Sequence, residues 1–104
     1  MSVANIIDAE ALVRHFDDAI THFNAPVSEV WLREAGGTVE VWIITKPVEL
    51  DRERLVAHAA AQVQDAFPDR YLDFMVLNPS VLTEELDLHE MLPAGIERVM
   101  LPDA

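Results

Sequence analysis

Val30-Trp31-Leu32-Arg33-Glu34-Ala35-Gly36-Gly37-Thr38-Val39-Glu40-Val41-Trp42-Ile43-Ile44-Thr45 is the stretch whose reading decides the fold. Two apolar-rich runs flank Gly36-Gly37, and a glycine pair readily takes the positive φ angles of a two-residue type I′ turn. Closing the chain there predicts a hairpin with one register. Ala35 faces Thr38, Arg33 faces Glu40, Leu32 faces Val41, Trp31 faces Trp42 and Val30 faces Ile43. The register is self-consistent, because it pairs opposite charges, stacks two aromatics and matches aliphatics across the strands. The strand period of two then sorts the pairs. Val30, Leu32, Val41 and Ile43 form one apolar face; Trp31, Arg33, Glu40 and Trp42 form the other.

Before the hairpin, Asp8 is placed to cap a helix, and Glu10 lies in its first turn, where the helix dipole favours an anion. Leu12, Phe16, Ala19, Ile20 and Phe23 recur at helical spacing as one buried stripe. Asn24-Ala25-Pro26 ends that helix, since the residue before a proline avoids helical angles. After the hairpin, Asp51 is the next expected cap. Leu55, Val56, Ala59, Val63, Ala66 and Phe67 form the stripe of a second helix that stops before Pro68, and Ala59-Ala60-Ala61 permits close approach to a sheet.

Tyr71 to Leu77 is nearly continuously apolar and predicts a strand buried on both faces. Asn78-Pro79-Ser80 reads as a turn, residues 83–92 as a short helix capped near Thr83, and residues 97–101 as an edge strand. The element order is α-β-β-α-β-(α)-β. The strand after the second helix is expected to be a parallel neighbour, reached by a right-handed crossover. Each long helix has one apolar stripe, so the expected architecture is α+β: a two-layer α/β sandwich with a mixed sheet and both helices on one face.

The 104 residues fit a single domain, 1–104, about half apolar and therefore not disordered by composition. Cysteine is absent, which removes disulfides and thiolate metal sites. The start has no basic, apolar leader pattern, and no run is long enough to span a bilayer. The expected location is the cytoplasm. Nineteen acidic residues stand against seven Lys and Arg, a net charge of −12. Such a surface repels nucleic-acid phosphates and anionic membranes and attracts basic partners.

No glycine-rich phosphate loop, nucleophile elbow or zinc-protease helix motif is present. The chain has three glycines, two of them in the turn. Ser2, Ser28 and Ser80 lack the base and orienting group that activate a nucleophile. His15, Asp18 and His22 share a helix face at metal-binding spacing, but solvated polar residues on an exposed helix face make that pattern far more often. His89 has Glu85 and Glu90 close in sequence. Neither a catalytic constellation, a metal site nor a cofactor is expected.

The order of elements resembles the minimal nucleotidyltransferase family, small relatives of polymerase-β-type enzymes. Val30-Trp31-Leu32 matches that family's first strand, and Val41 to Thr45 its aspartate-bearing strand. Leu72-Asp73-Phe74-Met75-Val76 matches the strand that supplies a third carboxylate, and residues 95–100 resemble its terminal segment. The resemblance implies the fold and argues against the activity. Arg33-Glu34 replaces the family's Gly-Ser turn, and Glu40 with Trp42 replaces its paired metal aspartates, leaving Asp73 where a carboxylate belongs.

The Trp31/Trp42 face, rimmed by Glu29, Arg33 and Glu40, is the strongest functional lead. Two readings stay open: a contact surface, or a second core if residues 84–92 or Tyr71 fold over it. The expected function is a small acidic non-enzymatic interaction protein that binds a protein partner, masks a basic surface and self-associates as a homodimer. The expected contacts are Trp31, Trp42, Arg33 and Glu40, with Glu84, Glu85, Asp87 and Glu90 meeting the basic groups. The alternative from a different class is a nucleotidyltransferase-like protein, inactive, in a toxin–antitoxin pair.

Overall fold

A computed structural model describes residues 9–81 and 88–99. The helix α1 spans Ala9–Phe23 and buries Leu12, Phe16 and Ala19, with Ile20 and Phe23 packed partly against the core. Asn24 ends it in the left-handed region at φ 51°, a conformation asparagine tolerates better than most residues. The Ala25 N–H then donates to the Ile20 carbonyl (3.0 Å) and closes the helix end.

The strands β1 (Val27–Ala35) and β2 (Thr38–Thr45) form the expected hairpin. Trp31 pairs with Trp42, Arg33 with Glu40, Leu32 with Val41 and Val30 with Ile43, so the predicted register holds throughout. Gly36 and Gly37 take φ of 59° and 84°, as the turn demands. A bulge between Val27 and Glu29 shifts the far end.

Helix α2 (Leu50–Ala66) leads to β3 (Leu72–Leu77), parallel to β2. Single-turn 3-10 helices follow at Pro79–Val81 and Leu88–Met91, then β4 (Glu97–Val99), antiparallel to β1. The strand order is β3-β2-β1-β4. Val30, Leu32, Val39, Val41, Ile43 and Leu72 share one buried cluster with Leu12, Phe16, Ala19, Val56, Ala59 and Val63. Both helices therefore cover one face, and the expected two-layer α+β architecture stands.

Four local expectations differ from the structure. The cap of α2 is Glu49 rather than Asp51, and it makes no side-chain cap bond; Asp51 lies in the first turn and accepts from the Arg52 N–H. Ala66 is exposed, because α2 turns its last residues away from the sheet, while Ala60 beside Ala59 is buried. The strand β3 is an edge strand, exposed at Asp73 and half-buried from Phe74 on, because β4 pairs with β1 and leaves β3 one neighbour; Tyr71 is 69% exposed. Of the expected 83–92 helix, the described part is one 3-10 turn, and residues 83–87 lie outside the described residues, as do Asp8 and residues 100–101.

Asn78, read from sequence as a plain turn residue, is 1% exposed and acts as a clasp. Its amide donates to the Val48 carbonyl (2.8 Å), while its Oδ1 accepts from the N–H groups of Val48 (3.4 Å) and Ser80 (3.0 Å). Buried peptide groups need such partners, and here one side chain supplies three bonds.

Candidate functional site

The face of the sheet away from the helices is built by the period of two. It carries Glu29, Trp31 and Arg33 from β1, Glu40, Trp42 and Ile44 from β2, Asp73, Met75 and Leu77 from β3, and Arg98 from β4. Both indoles are half-buried, and each N–H is tied to a carboxylate two residues away on its own strand. Trp31 Nε1 donates to Glu29 Oε1 (3.3 Å) and Trp42 Nε1 to Glu40 Oε1 (3.0 Å). The spacing explains the symmetry: positions i and i±2 share a face, and a glutamate is long enough to reach a neighbouring indole edge.

Glu40 accepts on its other oxygen from Arg33 Nη2 at 2.6 Å, the cross-strand ion pair the register predicts. The bonds from Arg33 and then Trp42 hold the Glu40 carboxyl below its usual pKa, although burial opposes them. Among the described residues, Arg33 Nε is buried without a hydrogen-bond partner, although its guanidinium is paired with Glu40 through Nη2.

At the other end, burial pushes the Glu29 carboxyl up, but bonds from His89 and Trp31 and the charges of His89 and Arg98 outweigh it. The net pKa is lowered. His89 Nε2 lies 3.0 and 3.2 Å from the two Glu29 oxygens, and its ring meets the Trp31 indole edge-on at 5.9 Å. Arg98 Nε is 3.7 Å from the same carboxylate.

This contact bears on the two readings left open for the Trp face. The helices leave the Trp face to solvent, but part of the chain itself lies on it. Strands β3 and β4 are opposite edges of the sheet, so their connection must travel about 14 Å across β2 and β1. His89, in the described part of that connection, lies on Trp31 and Glu29 and so on this face. Ile44, on the same face, is 4% exposed. Among the described large apolar residues, those most exposed are Leu50, Tyr71 and Met91, not the tryptophans.

Of the residues singled out in the sequence, Trp31, Trp42, Arg33 and Glu40 are brought together. Glu90 is exposed in the Leu88–Met91 turn, and Glu84, Glu85 and Asp87 lie outside the described residues. His15 packs on Phe67 (5.3 Å) and His22 on Phe23 (4.7 Å), and no group of three metal-binding side chains occurs among the described residues. Sequence reasoning missed the Glu29–His89 pair, sixty positions apart, and the neighbourhood of Glu40 and Asp73, which face each other across β2 and β3.

No family model, curated protein or solved structure matches the chain. An apolar recess lined by Leu12, Val13, Phe16, Val30, Leu32 and Val99 has no room for a water molecule. No described helix is long and apolar enough to cross a membrane.

Proposed function

We propose that this chain is a non-enzymatic interaction protein whose partner is a protein with a basic surface, and that it binds through the Trp31/Trp42 face. The observation that carries this reading is the make-up of the face. Two half-exposed indoles, latched to Glu29 and Glu40, sit on a molecule of net charge −12. Rigid aromatic rings supply contact area at interface centres, and complementary charge accelerates encounter and rejects wrong partners. The acids from Glu84 to Glu90 extend the contact.

The nucleotidyltransferase-like alternative is less well supported by the same residues. Magnesium-assisted transfer needs convergent free carboxylate oxygens. Glu40 lies beside Asp73, but its two oxygens are engaged by Arg33 and Trp42.

The test is capture from the native host with the chain as bait, followed by titration of the purified partner against salt. Affinity should fall steeply as salt rises from roughly 0.1 M to 1 M, where the screening length shrinks from about 10 Å to about 3 Å. Trp31→Ser/Trp42→Ser should keep its fold and lose the partner. A partner that ignores salt, or that the folded double variant still binds, overturns the proposal.

A further inference from the structure

The sheet ends in two unlike edges. The strand β4 has three residues and carries Glu97 and Arg98, and short charged edges resist pairing. The strand β3 has six residues, one charge at Asp73, no proline or lysine, and an unbroken register with β2.

Backbone direction shows what the β3 edge offers. Successive residues of a strand point their N–H and C=O groups to alternate sides. Val39 N–H donates to the Tyr71 carbonyl (3.2 Å), so Tyr71, Asp73, Met75 and Leu77 face β2. Leu72, Phe74 and Val76 then face outward. The Leu72 N–H is already held by Gln64 Oε1 (3.0 Å), whose amide also donates to the carbonyls of Phe67 (3.2 Å) and Arg70 (2.8 Å). Among the described residues, the N–H and C=O groups of Phe74 and Val76 are left for pairing.

We propose that β3 pairs antiparallel with β3 of a second copy about a two-fold axis at Met75, joining two sheets into one of eight strands. Each copy's Phe74 and Val76 exchange N–H···O=C bonds with Val76 and Phe74 of the other, four bonds in all. Several features select this register. Opposed residues must share a sheet face, so allowed registers shift the axis in one-residue steps. An axis at Phe74 needs the Leu72 N–H, which Gln64 holds. An axis at Asp73 sets two carboxylates against each other. An axis at Val76 runs the ladder into the Asn78-Pro79 turn. At Met75, Asp73 instead meets Leu77, and the 69% exposed Tyr71 comes level with Pro79 of the second copy.

This pairing uses the backbone edge of β3 rather than the indoles of the Trp face, and salt separates the two. Copies of charge −12 repel, so the dimer tightens as salt rises, whereas binding to a basic partner weakens. Light scattering should give a mass approaching twice 11.7 kDa at high salt and concentration. Because the chain has no cysteine, single-thiol variants read the register directly. Under a mild added oxidant, folded Met75→Cys should become a covalent dimer, since opposed side chains here approach disulfide distance. Asp73→Cys and Leu77→Cys should each stay largely monomeric but cross-link when mixed. A monomer mass across all salt and protein concentrations overturns the proposal. So does Met75→Cys cross-linking no faster than Asp73→Cys alone.

Discussion

Asn78 and the two latched glutamates show how single side chains govern this small domain. Asn78→Ala strips partners from the part-buried N–H and C=O groups of Val48, and each lost hydrogen bond costs about 0.5–1.5 kcal/mol. Urea denaturation should show a loss of that order. Asn78→Asp should be at least as damaging at neutral pH, because it sets a carboxylate oxygen against the Val48 carbonyl. Loss of stability confined to a few tenths of a kcal/mol would mean that Asn78 is not a clasp. Glu29 and Glu40 act through pH. Both carboxyls titrate lower in the folded chain than in the unfolded one. Their contribution is therefore complete above the unfolded value of about 4.3 and is lost as pH falls through the depressed folded values. Melting temperature should drop below about pH 4, and Glu40→Gln should flatten that drop. An unchanged acid limb in the variant would exclude Glu40 from it.

At the scale of elements, the hairpin turn and the start of α2 make opposite predictions. No atom lies within 4 Å of a Cβ added at Gly36, so a side chain there meets no clash. The penalty is conformational, since φ of 59° costs an ordinary L-residue roughly 1–2 kcal/mol. Gly36→Val should lower the urea midpoint accordingly while leaving the slope unchanged. Glu49 already has extended cap angles, φ −69° and ψ 158°, but makes no cap bond. Glu49→Ser keeps those angles and offers a short side-chain acceptor to the first turn, a gain on the order of 0.5–1 kcal/mol. A destabilised Glu49→Ser would show that Glu49 serves α2 in another way.

For the molecule as a whole, charge and shape set what it meets. The helices occupy one face, and His89 lies on part of the other, so the Trp31/Trp42 surface is a partly shielded patch. Ligand that binds the native state raises its melting temperature in proportion to occupancy. We expect none from millimolar ATP with magnesium, since Glu40 is committed to Arg33 and Trp42. A clear shift that disappears in Asp73→Asn would instead favour nucleotidyltransferase-like chemistry.

The hairpin was legible in full from residues 30–45, because turn angles and cross-strand pairing act between near neighbours and leave a period in the sequence. That local pattern also determined which side chains share the Trp face, and the apolar stripes determined which face the helices cover. It misled at β3, where an apolar run suited to an interior strand forms an edge. Strand order decides that outcome, and strand order depends on whether residues 97–99 join β1 or β3, a choice between distant partners that neither segment records alone. The same long-range choice brings His89 over the Trp face to Glu29. Only the tertiary structure could decide those contacts, because bringing together groups sixty positions apart requires the assembled sheet itself as the template.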